Sequence, residues 1–217
     1  VIDLLYIHEP ERAGQMRWFH DYNLYDGPVM EALEEMKQRG WVKWTGVGGT
    51  TAHEMAKVID TGVFDVVQTA FNYSLLWQEA RYEIFPTAKK HDIGIICSAP
   101  LQQGSLAVRR DELIENGAPW ISKPRREQFK ALYSFLDEIG MSIVELSLRF
   151  VLSNPDIDCV LVGAKNLKEI TETVAYSEKG PLSEDILKRI EEIYMMVPFR
   201  PTLEPILLPW GDTRPDI

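Results

Sequence analysis

A chain of 217 residues with 45% hydrophobic and 26% charged residues has the composition of an ordinary globular protein, and one domain with a substantial core is the expectation. A formal net charge of −10 excludes a surface built to neutralise nucleic-acid phosphates, which needs clustered lysine and arginine; the basic pair Arg109-Arg110 is followed at once by Asp111-Glu112 and reads as a solvated surface turn. The longest apolar runs, such as Ile2 to Ile7 and Ile93 to Cys97, fall far short of the roughly 20 residues that cross a bilayer, so no membrane partner is expected.

The chain opens in an apolar run with neither a basic leader region nor a small-residue cleavage site, which makes the cytoplasm the expected compartment. Cys97 and Cys159 lie in apolar strand-like segments, where free buried thiols in a reducing environment are expected.

Ile2 to His8 is an apolar run that closes on a polar residue before Glu9-Pro10, the pattern of a buried strand followed by a loop. The loop is rich in aromatics (Trp18, Phe19, Tyr22, Tyr25) and leads to Pro28, which opens a helix through Val29, Met30, Leu33 and Met36 that Gly40 stops. Strand Val42 to Val47, a Gly-Gly-Thr-Thr turn, helix Ala52 to Asp60 with Gly62 as its stop, strand Phe64 to Thr69 and helix Gln78 to His91 repeat the unit. Strand Ile93 to Cys97 precedes a long loop through Pro100 to Pro124, helices Arg125 to Ile139 and Ile143 to Ser153, strand Asp158 to Val162 and helix Leu167 to Tyr176. A last helix, Glu184 to Met195, gives way to a tail whose prolines at 198, 201, 205, 209 and 215 forbid helix, so residues 198–217 are expected to lie extended over residues 1–197.

Strands alternating with helices imply an α/β fold with a parallel sheet, right-handed crossovers and both sheet faces covered, either doubly wound or a barrel. In both, ligands bind where strands end, here at His8, Gly48-Gly49, Gln68, Ser98 and Gly163. A dinucleotide fold of the Gly-x-Gly-x-x-Gly kind is not indicated, since Gly46-Val47-Gly48-Gly49-Thr50-Thr51 offers no third glycine at the needed spacing. No metal site is expected either: His8 ends a strand, whereas His20, His53 and His91 fall in a loop or on helices.

Five segments then resemble, in order, the fourth to eighth barrel strands of aldo-keto reductases. They are Ile2-Asp3-Leu4-Leu5-Tyr6-Ile7-His8, the stretch Gly40 to Gly48, Val66-Val67-Gln68-Thr69-Ala70-Phe71-Asn72-Tyr73, the stretch Gly94 to Leu101, and Val160-Leu161-Val162-Gly163-Ala164. The resemblance implies a TIM-type (β/α)8 barrel, here incomplete and lacking the first three βα units. It also implies an NAD- or NADP-dependent oxidoreductase that passes hydride between the cofactor and a small carbonyl substrate such as a sugar, aldehyde or ketone.

Within that resemblance His8, which alone reads as a structural histidine, becomes the catalytic histidine that hydrogen-bonds the substrate carbonyl oxygen. Gln68 becomes a clamp on the nicotinamide carboxamide, since one amide pairs with another through both donor and acceptor. Gly163 and Ala164 match a phosphate-holding turn before a helix, and Leu101, which closes the match to the seventh barrel strand, joins the cofactor-binding set.

The departures are equally specific. Gly48-Gly49 stand where the family usually has Ser-Asn on the carboxamide, so backbone groups or Thr50 must serve, and Ser98 stands where a tyrosine commonly stacks on the nicotinamide. Glu169 aligns with an arginine that pairs with the 2′-phosphate, and Thr173 with an adenine-contacting asparagine; a carboxylate there implies NAD over NADP, although Lys165 and Lys168 lie within reach of a 2′-phosphate. The family's catalytic Asp, Tyr and Lys precede the fourth strand, so an N-terminal barrel segment is the expected missing partner, and the alternatives to an enzyme are a non-catalytic cofactor-binding scaffold or an inert fragment.

Overall fold

The computed structural model describes residues 1–12, 19, 25–201, 204, 205 and 208. Strands β1 (Ile2–His8), β2 (Val42–Gly49), β3 (Val66–Ala70), β4 (Gly94–Ser98) and β5 (Cys159–Leu161) form one sheet in the order β1-β2-β3-β4-β5, with every pairing parallel. The helices are α1 (Pro28–Gln38), α2 (Ala52–Asp60), α3 (Ile84–Lys90), α4 (Asp111–Asn116), α5 (Lys123–Ile139), α6 (Ile143–Leu152), α7 (Leu167–Ser177) and α8 (Glu184–Tyr194). Two compact units result. The first comprises Val1–Tyr73, Glu79–Ser98 and Pro155–Leu161 and holds the whole sheet with α1 to α3; the second comprises Ser74–Gln78, Ala99–Asn154 and the described residues from Val162 onward, with α4 to α8.

In the first unit the register sets Ile7, Val47, Val67 and Ile95 side by side, at 6%, 0%, 0% and 3% exposure. This face packs beneath helices, α1 and α2 against β2 and α3 against β4. Each such side chain contributes about 1.5–3 kcal/mol on burial, so the row forms the unit's core. Alternate residues point the other way. On that second face Leu4, Tyr6, Val66 and Ile96 are half-buried, while Trp44 and Leu161 are 56% and 45% exposed. The sequence leads one to expect both faces covered; within the first unit its own helices close one face, and the other carries these half-buried and exposed side chains.

At the opposite end from the strand termini of interest, one device recurs. Asp65, directly before β3, accepts from the backbone N–H of Thr45 at 2.7 Å, its hydroxyl at 3.1 Å and Lys37 Nζ at 2.9 Å. Asp158, directly before β5, accepts from the N–H of Ile95 at 2.7 Å. Both carboxylates satisfy a donor that a strand end leaves over.

Several expected boundaries move. The helix expected over Gln78 to His91 is a 3-10 turn, Glu79–Arg81, followed by the shorter α3. Pro86 explains it: a proline lacks the N–H that helix interiors use, so the helix starts just ahead of it, with the proline inside the first turn. The loop expected through Pro100 to Pro124 contains α4, whose Asp111 and Glu112 fall in the first turn and whose Gly117 follows the end, too short a segment to show periodicity. The strand expected over Asp158 to Val162 is only Cys159–Leu161, an edge strand; Cys159 is therefore exposed, not buried, while Cys97 is buried and its thiol is pushed up to about 12 by burial. Arg109-Arg110 is not an idle surface pair either: Arg109 bonds Asp111 at 2.6 Å, pairs with Asp137 and lies 4.9 Å over the Tyr133 ring, and the Arg110 N–H donates to the Tyr133 hydroxyl at 3.1 Å.

In the second unit α5 starts at an N-cap, Ser122, that accepts from the Arg125 N–H at 3.3 Å, and ends at Gly140 in the left-handed conformation, φ 64°. Arg125 is fully buried on α5. Its guanidinium meets both oxygens of Glu204 at 2.8 and 3.0 Å, donates to the Leu76 carbonyl at 3.1 Å and to Gln128, and lies 4.8 Å over the Trp77 ring. Where the tail is described it turns, with the Glu204 N–H donating to the Pro201 carbonyl at 2.8 Å.

Candidate functional site

The C-terminal ends of the strands are marked by their backbone. Glu9, Phe71 and Ala99 follow directly on β1, β3 and β4, and each has a positive φ, 50°, 66° and 55°. A non-glycine residue there costs about 1–3 kcal/mol, and such strain is kept where the surrounding structure requires the bend. That three strand ends carry it points to this edge of the sheet.

The register places His8 beside Gly48 and Gly48 beside Gln68, so an imidazole and a primary amide flank a glycine across adjacent strands. Gln68 Nε2 reaches Ser98 Oγ at 3.4 Å, and that hydroxyl donates to the Thr69 carbonyl at 3.2 Å. The serine thus braces the amide through its nitrogen. His8 is exposed, Gln68 half-buried and Ser98 buried. A side chain at Gly48 would meet nothing nearer than 3.7 Å, so the surface between His8 and Gln68 is flat and has room.

Gly49 is different. A Cβ there would lie 2.3 Å from Met55 Sδ and 2.4 Å from Glu11 Oε1. Glu11, on the loop after His8, is 5% exposed and accepts from the N–H groups of Thr50 at 2.7 Å and Thr51 at 3.3 Å, at the start of α2. The same loop is tied to β2 by the Glu9 N–H on the Gly48 carbonyl at 2.6 Å, and Arg12 pairs with Glu9 at 2.8 Å. Tyr6 packs on Gly46, where a Cβ would lie 2.6 Å from its ring, and burial raises its hydroxyl above its ordinary value, with Cys159 adding to it. Glu11 is marked by no motif, because a carboxylate that folds back onto a distant turn leaves no spacing signal.

The other expected cofactor residues belong to the second unit. Leu101 is half-buried ahead of the 3-10 turn Gln102–Gly104, and its carbonyl accepts from the Leu106 N–H at 3.1 Å. Gly163, Ala164 and Lys165 are exposed in the turn before α7, and a Cβ on Gly163 would meet nothing within 4 Å. Asn166 caps α7 by accepting from the Glu169 N–H at 3.0 Å, and Glu169 reaches back to the same turn: Oε1 accepts from Asn166 Nδ2 at 3.0 Å and Oε2 from the Lys165 N–H at 2.7 Å. Thr173 is half-buried one turn further along.

Of the aromatics after His8, Trp18 and Tyr22 lie outside the described residues, as does His20. Phe19 and Tyr25 are buried against each other, edge to face with ring centres 5.3 Å apart, and the Tyr25 hydroxyl donates to Glu54 at 3.0 Å; these two pack the loop. A groove of about 830 Å3 between α1 and α2, with Met30, Lys37, Thr45 and Asp60 among its walls, opens on the helix side of the sheet and not at the strand ends. Among the described residues no three His, Cys, Asp or Glu side chains converge as metal ligands, and no helix is long and apolar enough to cross a membrane.

A parallel sheet whose strand ends hold the histidine, the glutamine and the strained bends is the arrangement of a TIM-like α/β protein. The model of the Aldo/keto reductase family matches residues 1–195, and the chain belongs to that family. It is 25% identical over 179 residues to D-threo-aldose 1-dehydrogenase of a Pseudomonas species, covering 81% of this chain and 52% of that protein. It is likewise 25% identical over 201 residues to L-galactose dehydrogenase of Arabidopsis thaliana, covering 88% of this chain and 58% of that one. Among solved structures the apo form of aldo-keto reductase AKR11C1 from Bacillus halodurans superposes with a TM-score of 0.66 at 20% identity, over 88% of this chain and 62% of that one, and shares the fold. The chain thus spans little more than half the length of the two relatives, 52% and 58%.

Proposed function

We propose that this chain is the larger part of an NAD(P)-dependent oxidoreductase that passes hydride between the cofactor and the carbonyl or alcohol of a sugar, aldehyde or ketone. The reading is carried by the row His8, Gly48, Gln68 at adjacent parallel strand ends, with Ser98 bracing the glutamine at 3.4 Å. That row fits a nicotinamide: Gln68 offers an amide carbonyl and an N–H to a carboxamide, and the bare Gly48 leaves room for a flat ring. When bound, the cofactor supplies or accepts the hydride. His8 donates a hydrogen bond to the substrate oxygen as charge develops on it, and the backbone at Gly48-Gly49 holds the carboxamide where the family has side chains. Gly163, Ala164 and Lys165 hold phosphates at the start of α7, with Leu101 and Thr173 beside the cofactor. Glu169 favours NAD, since its carboxylate repels a 2′-phosphate.

In this reading residues 1–197 are barrel and 198–217 its tail. The catalytic Asp, Tyr and Lys lie on three further βα units outside this sequence, and those units cover the second face of the sheet. The exposure of Trp44 and Leu161 on that face, at 56% and 45%, supports them. The partners are a small carbonyl substrate and this segment, with no nucleic acid and no membrane, in the cytoplasm. The intact mass of the protein from its source tests the claim. A mass above 24.9 kDa by about 10 kDa, roughly three βα units at ~30 residues each, agrees with it; 24.9 kDa rules out carbonyl reduction by the family's residues and leaves a scaffold.

A further inference from the structure

Glu11 is a buried carboxylate without a part in the reading above. It lies three residues past His8 and is 5% exposed. One oxygen, Oε1, accepts from the N–H groups of Thr50 and Thr51 at 2.7 and 3.3 Å; the other, Oε2, is buried with no hydrogen-bond partner among the described residues. A half-satisfied buried carboxylate is a costly way to cap a helix, and Thr51 itself stands at the N-cap of α2 without using its side chain. What the carboxylate does achieve is local. It fastens the loop that follows His8 to the turn that follows Gly48, and it occupies the space that any side chain at Gly49 would need, 2.4 Å from that Cβ position.

We infer that Glu11 is a positioning residue for the nicotinamide end of the cofactor, an inference that rests on the function proposed above. It fixes the backbone of Gly48 to Thr51 in the conformation that receives the carboxamide, and it sets that turn at a constant distance from His8. The Gly-Gly pair and Glu11 are one device: the side-chain donors common at this turn are replaced by ordered backbone, and the ordering group sits where a side chain would have been. Gln in place of Glu keeps an acceptor for both N–H groups; Ala leaves them both unpaired and frees the turn.

The test is calorimetric titration of the natural-length protein with NADH, NADPH and the matching ADP-ribose fragments, which lack the nicotinamide. Glu11→Ala is expected to weaken the preferred dinucleotide by about tenfold or more while the fragment changes by less than about twofold, and Glu11→Gln to return within about threefold of the parent. Equal loss for dinucleotide and fragment, no loss at all, or a Gln variant as weak as Ala overturns the inference. If Glu11→Ala does not fold, Gly49→Ala, which displaces the carboxylate, must show the same nicotinamide-selective loss, and an unselective one overturns it. A parent protein that binds neither dinucleotide defeats the proposed function and this inference with it; a parent that binds while the variants show no selectivity defeats the inference alone.

Discussion

Gly48 and Gly49 are adjacent in sequence, yet the structure constrains them differently. At Gly49 an added methyl meets Met55 Sδ at 2.3 Å and Glu11 Oε1 at 2.4 Å, so Gly49→Ala is expected to cost about 1–3 kcal/mol in a urea titration, the usual penalty of overpacking. Gly48→Ala, with nothing nearer than 3.7 Å, is expected to leave the midpoint within about 0.5 kcal/mol and to act on cofactor affinity instead. Equal effects of the two on stability would contradict this assignment. His8 and Gln68 were picked out in the sequence as polar residues in apolar strands, and the roles proposed for them come from the family resemblance, not from that local pattern. Glu11 was not, because its partners are Thr50 and Thr51, and nothing in the string Glu9-Pro10-Glu11 tells which carboxylate turns back to them.

Among the elements, β2 and β3 are joined at their start by Asp65. Burial raises its carboxyl, but the Thr45 N–H, the Lys37 ammonium and the Thr45 hydroxyl outweigh that and hold it below its ordinary 3.8. A depressed folded value means stability that is present above the unfolded value and is lost as pH falls through the folded one. Asp65→Asn is therefore expected to lower stability at neutral pH and to flatten its decline below about pH 4, measured as melting temperature against pH; an unchanged acid limb would contradict the role. In the second unit Arg125 at 0% and Glu204 at 4% side-chain exposure are a buried pair. Arg125→Ala strands a buried carboxylate and is expected to cost about 3–5 kcal/mol, whereas the double change to Met at both positions recovers most of it. The five strands and most helices could be read from apolar periodicity. What periodicity misses is length and interruption: Pro86 resets the start of α3, and the six residues of α4 are too few to show a stripe.

For the whole molecule, the sheet of the first unit has one face packed beneath its own helices, and the other face is where the proposed further βα units belong. On that second face Trp44 and Leu161 are exposed and Leu4, Tyr6, Val66 and Ile96 half-buried, so a protein of these 217 residues alone is expected to self-associate in sedimentation experiments. A monodisperse monomer of 24.9 kDa would contradict the reading that further βα units belong on that face. The fold class was legible because five collinear segments recur with a fixed β-then-α order; the division into two compact units was not, since the units interleave along the chain and no single boundary in sequence separates them. The central claim is that these strand ends serve a hydride transfer to a carbonyl. The measurement that tests it most directly is the rate of NADH and NADPH oxidation by the natural-length protein with aldose, aldehyde and ketone substrates, parent against His8→Ala. Turnover in the parent, with a loss of about a hundredfold or more in the variant while cofactor affinity holds, is the predicted result. A parent that binds cofactor without turnover, or a variant that turns over as fast as the parent, would contradict it.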